Sequence, residues 1–266
     1  MPNRLTELFK NKKSNIINVY FTAGFPNLND TGEIIRALSN NGVDLIEVGM
    51  PYSDPLADGP TIQQSGSQAL ENGMSLDILF KQIKEARKET RVPIILMGYI
   101  NQVMQFGEEK FFKNCAASGV DGLILPDLPI ADYEKKFKKI IADNGLTISF
   151  LITPQTPVER IKLIDKCTTG FIYVVSSYAI TGAKTGITEE QIEYFKRIEK
   201  MDLKNPRLIG FGISDAKTFN IACTYAQGAI IGSAFIRTLK NSAERQQKIE
   251  VIVSEFMESL QLNTVS

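Results

Sequence analysis

The chain has 266 residues, and its 30 basic side chains balance its 30 acidic ones, so its charge gives no reason to expect binding to nucleic acid or to an anionic membrane. It contains no histidine, which excludes His-based catalytic triads and the common His-containing zinc and iron sites. Proton transfer in an active site must then fall to Asp, Glu, Tyr, Lys or Cys.

The three cysteines, Cys115, Cys167 and Cys223, lie far apart without CxxC spacing, and the sequence shows no signal peptide. We therefore expect free thiols in a reducing cytoplasm. No apolar run approaches the roughly 18 residues that a membrane-spanning helix requires. The sequence predicts a cytoplasmic protein with no membrane or nucleic-acid partner.

Strand and helix signals alternate from one end of the chain to the other. An amphipathic helix is predicted at 4–13. Eight apolar segments are then predicted as strands, at 16–23, 43–49, 92–98, 120–125, 147–152, 171–176, 208–211 and 229–231. Further helices are predicted at 27–40, 61–72, 76–89, 107–118, 131–143, 157–167, 233–239 and 243–260, and two more are predicted, one that begins after 188 and one that ends at 226. Ser75 is the predicted cap of the helix at 76–89, and Thr188 caps the helix that follows it, with Gln191 near the reciprocal capping position.

Mostly apolar strands without a clean alternation of apolar and polar residues are typical of a parallel sheet that is covered on both faces. Eight strand–helix units in about 250 residues, with no linker-like break, predict an α/β fold, a (β/α)8 TIM barrel that forms a single domain over 1–266. The prediction includes an extra N-terminal helix and extra helices in the loops after strands 2 and 8. A doubly wound open sheet is the alternative, but the turn at 24–26 lacks the GxGxxG fingerprint.

The stretch 46–59 carries the clearest chemical signal. Alternation along the strand 43–49 places Glu47 on the same face as Leu45, where a core side chain would lie. An unpaired ionised carboxylate there costs several kcal/mol, so Glu47 is either a hydrogen-bonded structural acid or an acid kept for proton transfer. The proline-containing loop that follows, with Asp54 and Asp58, favours proton transfer.

Glycines follow the last three predicted strands, in Thr181-Gly182, Gly210-Phe211-Gly212 and Gly232-Ser233. Backbone N–H groups approach phosphate oxygens closely where no Cβ intervenes, and the amino end of a helix adds a favourable dipole. Because loops at the carboxyl ends of the strands form the active site of a barrel, these glycines predict a phosphate-bearing ligand. Ser214 and Ser233 are hydroxyl donors to it unless they cap the following helices.

A phosphate site at one side and carboxylates at the other indicate a substrate with a phosphorylated tail and a reactive head. No predicted strand contains a lysine, which disfavours a Schiff-base mechanism, and Lys184 is the nearest exception. The lack of histidine disfavours a metal-assisted aldol reaction. Acid–base catalysis by carboxyl groups remains, with a raised pKa expected for Glu47 in a partly apolar barrel mouth.

The segment 47–59 reads E-V-G-M-P-Y-S-D-P-L-A-D-G and resembles the signature E-x-G-x-P-x-S-D-P-x-A-D-G of the tryptophan synthase α subunit family at each fixed position. Other stretches resemble family landmarks in the same order, at 21–24, 119–122, 126–129, 153–154, 181–182, 210–214 and 232–233. The resemblance implies a lyase of tryptophan biosynthesis that cleaves indole-3-glycerol phosphate reversibly into indole and glyceraldehyde 3-phosphate.

The resemblance also implies roles for individual residues. Glu47 matches the family's general acid and base, Asp58 matches the aspartate that binds the indole N–H, and Tyr173 matches a tyrosine beside the scissile bond. The positions that match substrate- and phosphate-binding residues are Thr181, Gly182, Gly212, Gly232 and Ser233. The loop after strand six departs from the family pattern S-R-x-G-V-T-G because its arginine is absent, which affects the expected closing of this loop.

In this family the α subunit docks on a β subunit that carries pyridoxal phosphate, so the resemblance implies an α2β2 complex and no cofactor or metal on this chain. Pro51, Tyr52 and Asn101, on the loops after strands two and three, are the predicted contact surface.

Two alternatives stay open. One is another phosphate-binding barrel, such as a sugar-phosphate epimerase or a tryptophan-pathway isomerase, which leaves the acidic loop unexplained. The other is a catalytically silent or weak regulatory subunit that activates a partner enzyme. The presence of both Glu47 and Asp58 argues against a silent subunit, since an inward-facing acid is costly to keep.

Overall fold

The computed structural model describes residues 3–56, 58–176, 187–210, 212–243 and 246–261. Eight parallel strands close into a barrel in chain order, and β8 pairs with β1. The strands are β1 (Ile16–Thr22), β2 (Leu45–Gly49), β3 (Ile94–Met97), β4 (Gly122–Ile124), β5 (Thr147–Ile152), β6 (Ile172–Val175), β7 (Arg207–Gly210) and β8 (Gly228–Ile231). The predicted barrel is confirmed, and the open-sheet alternative is wrong.

Helices surround the barrel and close its amino-terminal end. They are α1 (Arg4–Asn11), α2 (Asp30–Asn40), α3 (Pro60–Glu71), α4 (Leu76–Ala86), α5 (Ile100–Phe106), α6 (Glu108–Ser118), α7 (Ile130–Asp132), which continues through a π-helical turn (Tyr133–Phe137) into α8 (Lys138–Asp143), α9 (Val158–Cys167), α10 (Glu189–Glu199), α11 (Ala216–Tyr225), α12 (Ser233–Ala243) and α13 (Ile249–Gln261). The predicted extra helices are present as α1 before β1, as a second helix after β2 and as a second helix after β8.

Two helix predictions need correction. One helix was expected after β3, at 107–118, but α5 and α6 both lie there, because Gly107 has a φ of +91° and separates two helical runs. The break between the last two helices was expected after Leu239. The first of them continues to Ala243 instead, since Ser242 is buried on the same face as Leu239 and extends the packed side of the helix by a turn.

The predicted caps at two helix starts are confirmed. The Ser75 hydroxyl accepts from the backbone N–H of Ile78 at the start of α4. Thr188 and Gln191 form a reciprocal capping box at the start of α10. Local sequence thus determines where these helices begin.

A buried acid holds the amino-terminal end of the barrel together. Asp121, directly before β4, forms ion pairs with Arg4 of α1 at 3.0 Å and with Arg87, the C-terminal cap of α4, at 3.1 Å. It also accepts from the backbone N–H of Ile94 on β3 at 2.9 Å. Because α1 is tied to this end, the carboxyl ends of the strands remain as the accessible mouth.

Two further findings concern the described residues. Their three cysteines, Cys115 of α6, Cys167 of α9 and Cys223 of α11, are free thiols. None of the helices in this part of the chain combines the length and the apolar character that crossing a membrane requires.

Candidate active site

The middle residue of β2, Glu47, lies inside the barrel. All five residues of β2 are buried, and Glu47 has no exposed surface. Asn18 of β1 donates from Nδ2 to Glu47 Oε2 at 2.9 Å. Glu47 also interacts electrostatically with Tyr173 of β6, and since β2 and β6 stand on opposite sides of the barrel, this interaction crosses its interior. The predicted inward direction of Glu47 is confirmed.

Burial sets the protonation of Glu47. It raises the pKa of this carboxyl to about 8, while the hydrogen bond from Asn18 lowers the pKa and the charge of Asp58 raises it. The second oxygen, Oε1, is buried and has no hydrogen-bond donor among the described residues. Glu47 therefore keeps its proton at neutral pH and has a pKa suited to giving and taking a proton in that range.

The loop after β2 brings a second acid, Asp58, to the mouth of the barrel. Its backbone N–H donates to Pro55 O at 3.1 Å, and its carbonyl accepts from Gln63 Nε2 of α3 at 2.9 Å, so both neighbours fix its backbone. The Tyr99 hydroxyl donates to Asp58 Oδ2 at 3.1 Å.

Asp58 and Glu47 differ in protonation near neutral pH. Burial raises the pKa of Asp58 to about 6, against the lowering effect of the Tyr99 hydrogen bond. Between about pH 6 and about pH 8, Asp58 is then mostly a carboxylate while Glu47 is mostly a carboxylic acid. When two neighbouring carboxyls have different pKa values, the one with the higher pKa can serve as the acid while the other serves as the anion.

Two tyrosines fill the barrel beside these acids. Tyr20 of β1 and Tyr173 of β6 are buried, and burial raises the pKa of each well above its ordinary value, with Glu47 contributing to both shifts. Their hydroxyls therefore stay neutral. A Cβ at Gly49 would overlap the Tyr20 hydroxyl, and one at Gly210 would overlap the Tyr173 hydroxyl, so these two glycines make room for the rings.

The predicted phosphate residues that the structure describes follow β7 and β8, which are neighbours in the barrel. Ser233 is the first residue of α12, and Gly232 precedes it, with its Cβ direction pointing at the Tyr20 ring 3.3 Å away. Gly212 has a φ of +79° and an open Cβ direction, with Ser176 Oγ nearest at 3.9 Å. The other two predicted residues, Thr181 and Gly182, lie outside the described residues.

Some polar groups near the mouth have structural partners. Asp215 caps α11 by accepting from the N–H of Thr218 at 2.8 Å, so Ser214 is not the cap of this helix. The exposed carboxylate of Asp54 accepts from the hydroxyl of Ser53 at 2.6 Å.

Within the described part of the chain, no three Cys, Asp or Glu side chains are grouped so that they would hold a metal ion.

The three residues predicted as a partner surface lie together. Asn101 Nδ2 donates to the Tyr52 hydroxyl at 2.8 Å, and Pro51 O accepts from Gln102 Nε2 at 2.9 Å. The Tyr52 ring stacks on the Tyr99 ring with centroids 5.1 Å apart. Tyr52 of this surface therefore contacts Tyr99, the residue that donates to the Asp58 carboxylate.

Asn18, Tyr20 and Tyr99 are not among the site residues predicted from the sequence. Asn18 interrupts an otherwise apolar stretch of β1, and Tyr99 follows the end of β3, where the loops of a barrel place functional groups. Both positions were visible in the sequence as polar exceptions. Their partners were not, because the hydrogen bonds join residues 29 and 41 positions apart.

Comparison with known proteins relates the chain to one family. The family model described as "Tryptophan synthase alpha chain" matches residues 5–264. The tryptophan synthase alpha chain of Parabacteroides distasonis is 53% identical over 251 residues, covering 94% of this chain and 98% of the relative. That of Flavobacterium johnsoniae is 53% identical over 253 residues, covering 95% and 99%.

Solved structures agree in fold. Tryptophan synthase subunit alpha from Legionella pneumophila superposes with a TM-score of 0.88 at 27% identity, covering 98% of this chain and 97% of that one. A chain of the tryptophan synthase complex from Pyrococcus furiosus superposes with a TM-score of 0.83 at 33% identity, covering 94% and 98%.

Proposed function

This chain belongs to the tryptophan synthase alpha chain family, and we propose that Glu47 and Asp58 carry the family's lyase reaction on it. The reaction is the reversible retro-aldol cleavage of indole-3-glycerol phosphate into indole and glyceraldehyde 3-phosphate, in tryptophan biosynthesis. The observation that supports these roles is the placement of two carboxyls: Glu47 is fully buried inside the barrel, and Asp58 is held at its mouth by the Tyr99 hydroxyl. Burial raises the pKa of Glu47 to about 8 and that of Asp58 to about 6.

The chemistry consists of two proton transfers around one carbon–carbon bond. Glu47, as the carboxylic acid, protonates C3 of the indole, and the positive charge that results is delocalised onto the indole nitrogen. Asp58, as the carboxylate, accepts the indole N–H and stabilises that charge. The Glu47 carboxylate then takes the proton of the neighbouring hydroxyl as the bond breaks and the aldehyde forms. Glu47 ends protonated again, and the hydroxyl proton has in effect replaced the glycerol carbon on C3.

The remaining site residues position the two ends of the substrate. Tyr173, whose neutral hydroxyl lies across the barrel from Glu47, borders the reacting carbons. Gly212, Gly232 and Ser233 offer backbone N–H groups and a hydroxyl to the phosphate, and the amino end of α12 adds a favourable dipole. Thr181 and Gly182 are assigned to the same binding set by the family resemblance of their motif.

The partner is a tryptophan synthase β subunit, in an α2β2 complex. Two large apolar side chains support a docking surface around Pro51, Tyr52 and Asn101. Leu56, in the loop after β2, is 86% exposed, and Met104, one turn after Asn101 on α5, is 55% exposed. A partner that covers them together with Tyr52 would contact the ring that stacks on Tyr99.

No cofactor is assigned to this chain, because both steps are proton transfers that a carboxyl supplies. Pyridoxal phosphate belongs to the β subunit in this proposal. We place the enzyme in the cytoplasm, since its three cysteines are unpaired and two of them, Cys115 and Cys167, are buried as thiols.

The test is indole release from indole-3-glycerol phosphate as a function of pH, measured with and without a β subunit. We expect kcat/KM to be highest between about pH 6 and about pH 8, since Asp58 must be ionised and Glu47 protonated. Glu47→Gln should abolish release while inorganic phosphate still binds, and Asp58→Asn should lower it by roughly 100-fold or more.

Glu255→Gln is the matched control, because it removes an exposed carboxylate on α13. Full turnover by Glu47→Gln would reassign the acid–base role. If the unsubstituted protein releases no indole with or without a β subunit but still binds phosphate, it would instead be a silent regulatory subunit.

A further inference from the structure

A single amide lies inside the barrel next to the proposed acid. Asn18 is fully buried in β1, between Ile17 and Val19, and its Nδ2 donates to Glu47 Oε2 at 2.9 Å. Its own Oδ1 is buried and has no partner among the described residues. Burying an amide with one atom unsatisfied is costly, and an apolar residue at this position would avoid the cost.

From this contact we infer that Asn18 is a positioning residue for Glu47, which holds one carboxyl oxygen so that the other oxygen carries the transferred proton. The inference rests on the proposed acid–base role of Glu47 and deepens it. It concerns how the acid is presented to the substrate, whereas Asn18 itself exchanges no proton.

The two oxygens of Glu47 are not equivalent, because Asn18 contacts one of them. An amide N–H only donates, so Oε2 must serve as the acceptor of this bond. A proton on Oε2 would compete with that N–H for the oxygen. Oε1 has no donor in the described structure and is therefore the oxygen that carries the proton and releases it.

The hydrogen bond from Asn18 also strengthens during the reaction. Once Glu47 has protonated the indole, it is a carboxylate in a buried position, and a hydrogen bond to an ionised acceptor is stronger than one to a neutral acceptor. Asn18 therefore stabilises the charged intermediate more than the starting acid, which is the condition for accelerating the step.

The other groups that face Glu47 do not provide this effect. Tyr20 of β1 and Tyr173 of β6 do not lower the pKa of Glu47, and the charge of Asp58 in the loop after β2 raises it. Within the described part of the chain, the bond from Asn18 is what opposes burial and keeps this pKa within reach of neutral pH.

The test is the pH profile of kcat for Asn18→Leu, which has a similar volume and no N–H donor. We expect the alkaline limb to move upward by about one pH unit and kcat at pH 7.5 to fall about tenfold, with KM unchanged. Asn18→Val is shorter, suits a strand and also lacks a side-chain donor, and it should show the same shift if the leucine variant does not fold.

Thr147→Val is the matched control. It removes one buried side-chain hydrogen bond, from Thr147 Oγ1 to Asp121 O at 3.2 Å, on β5 across the barrel from β1. The alkaline limb of its kcat profile should lie at the same pH as that of the parent protein. A variant that merely loosens the barrel would lower the folded fraction without moving the limb.

Glu47→Gln, measured in parallel, separates the two levels of the proposal. If it is inactive but both Asn18 variants fold and keep the parent limb and kcat, the role of Asn18 is refuted and that of Glu47 stands. If Glu47→Gln retains turnover, the proposed acid itself is wrong, and any shift in the Asn18 variants has another cause.

Discussion

Glu47 should make the fold less stable than an uncharged residue of the same shape would. In the unfolded chain this carboxyl titrates at its ordinary pKa near 4.5, whereas burial raises its pKa in the folded protein to about 8. Below the unfolded pKa both states are protonated, and the contribution of Glu47 to stability is fully present. It is lost as the pH rises from the unfolded towards the folded pKa, because only the unfolded state releases the proton readily.

Glu47→Gln removes this loss. The difference of about 3.5 pKa units corresponds to about 5 kcal/mol above pH 8, about 3 kcal/mol at pH 7 and about 1 kcal/mol near pH 5.5. Glutamine keeps an oxygen to accept from Asn18 Nδ2, and its own N–H can donate to Asn18 Oδ1, which has no partner in the described structure. The variant should thus be more stable and inactive.

Urea unfolding followed by circular dichroism at pH 5.5 and pH 8.5 measures the effect, and indole release measures the loss of activity. The increase in the unfolding free energy should be several times larger at pH 8.5 than at pH 5.5. Glu255→Gln, on the exposed side of α13, should show no such pH dependence. A Glu47→Gln variant whose stability gain is absent or independent of pH would show that Glu47 is ionised in the folded protein, which contradicts its role as the acid.

Three further predictions concern other parts of the molecule. Tyr99→Phe removes the hydrogen bond that lowers the pKa of Asp58, so the acidic limb of the indole-release profile should move to higher pH, and an unmoved limb would show that this bond is unimportant. Gly232→Val should weaken inhibition by inorganic phosphate, because its side chain would be forced against the Tyr20 ring and into the approach to the backbone N–H groups, whereas Gly66→Ala, with open space at its Cβ, should not. Asp121→Ala should lower the unfolding free energy by about 3 kcal/mol, since it leaves two guanidinium groups without their buried partner; urea unfolding with no such loss would mean that the amino-terminal end of the barrel is held by other contacts.

Elements of the fold that depend on local sequence were predictable. Apolar strands between amphipathic helices indicated a parallel barrel, and Ser75 and Thr188 marked helix starts that the structure confirms. The separate helix α5 was not predicted, because seven residues between a strand and Gly107 carry too little periodicity to distinguish a short helix from a loop.

Sequence patterns were sufficient to predict the barrel and the inward direction of Glu47, because the alternation of side chains along a strand depends only on neighbouring residues. They also indicated the family, through a motif that lies within one strand and one loop. Three features became known from the folded barrel: Asn18 binds Glu47, Tyr99 binds Asp58, and the two acids have different pKa values. Neighbouring residues do not predict them, because a pKa depends on burial and on partners from other strands, which come together only when the barrel closes.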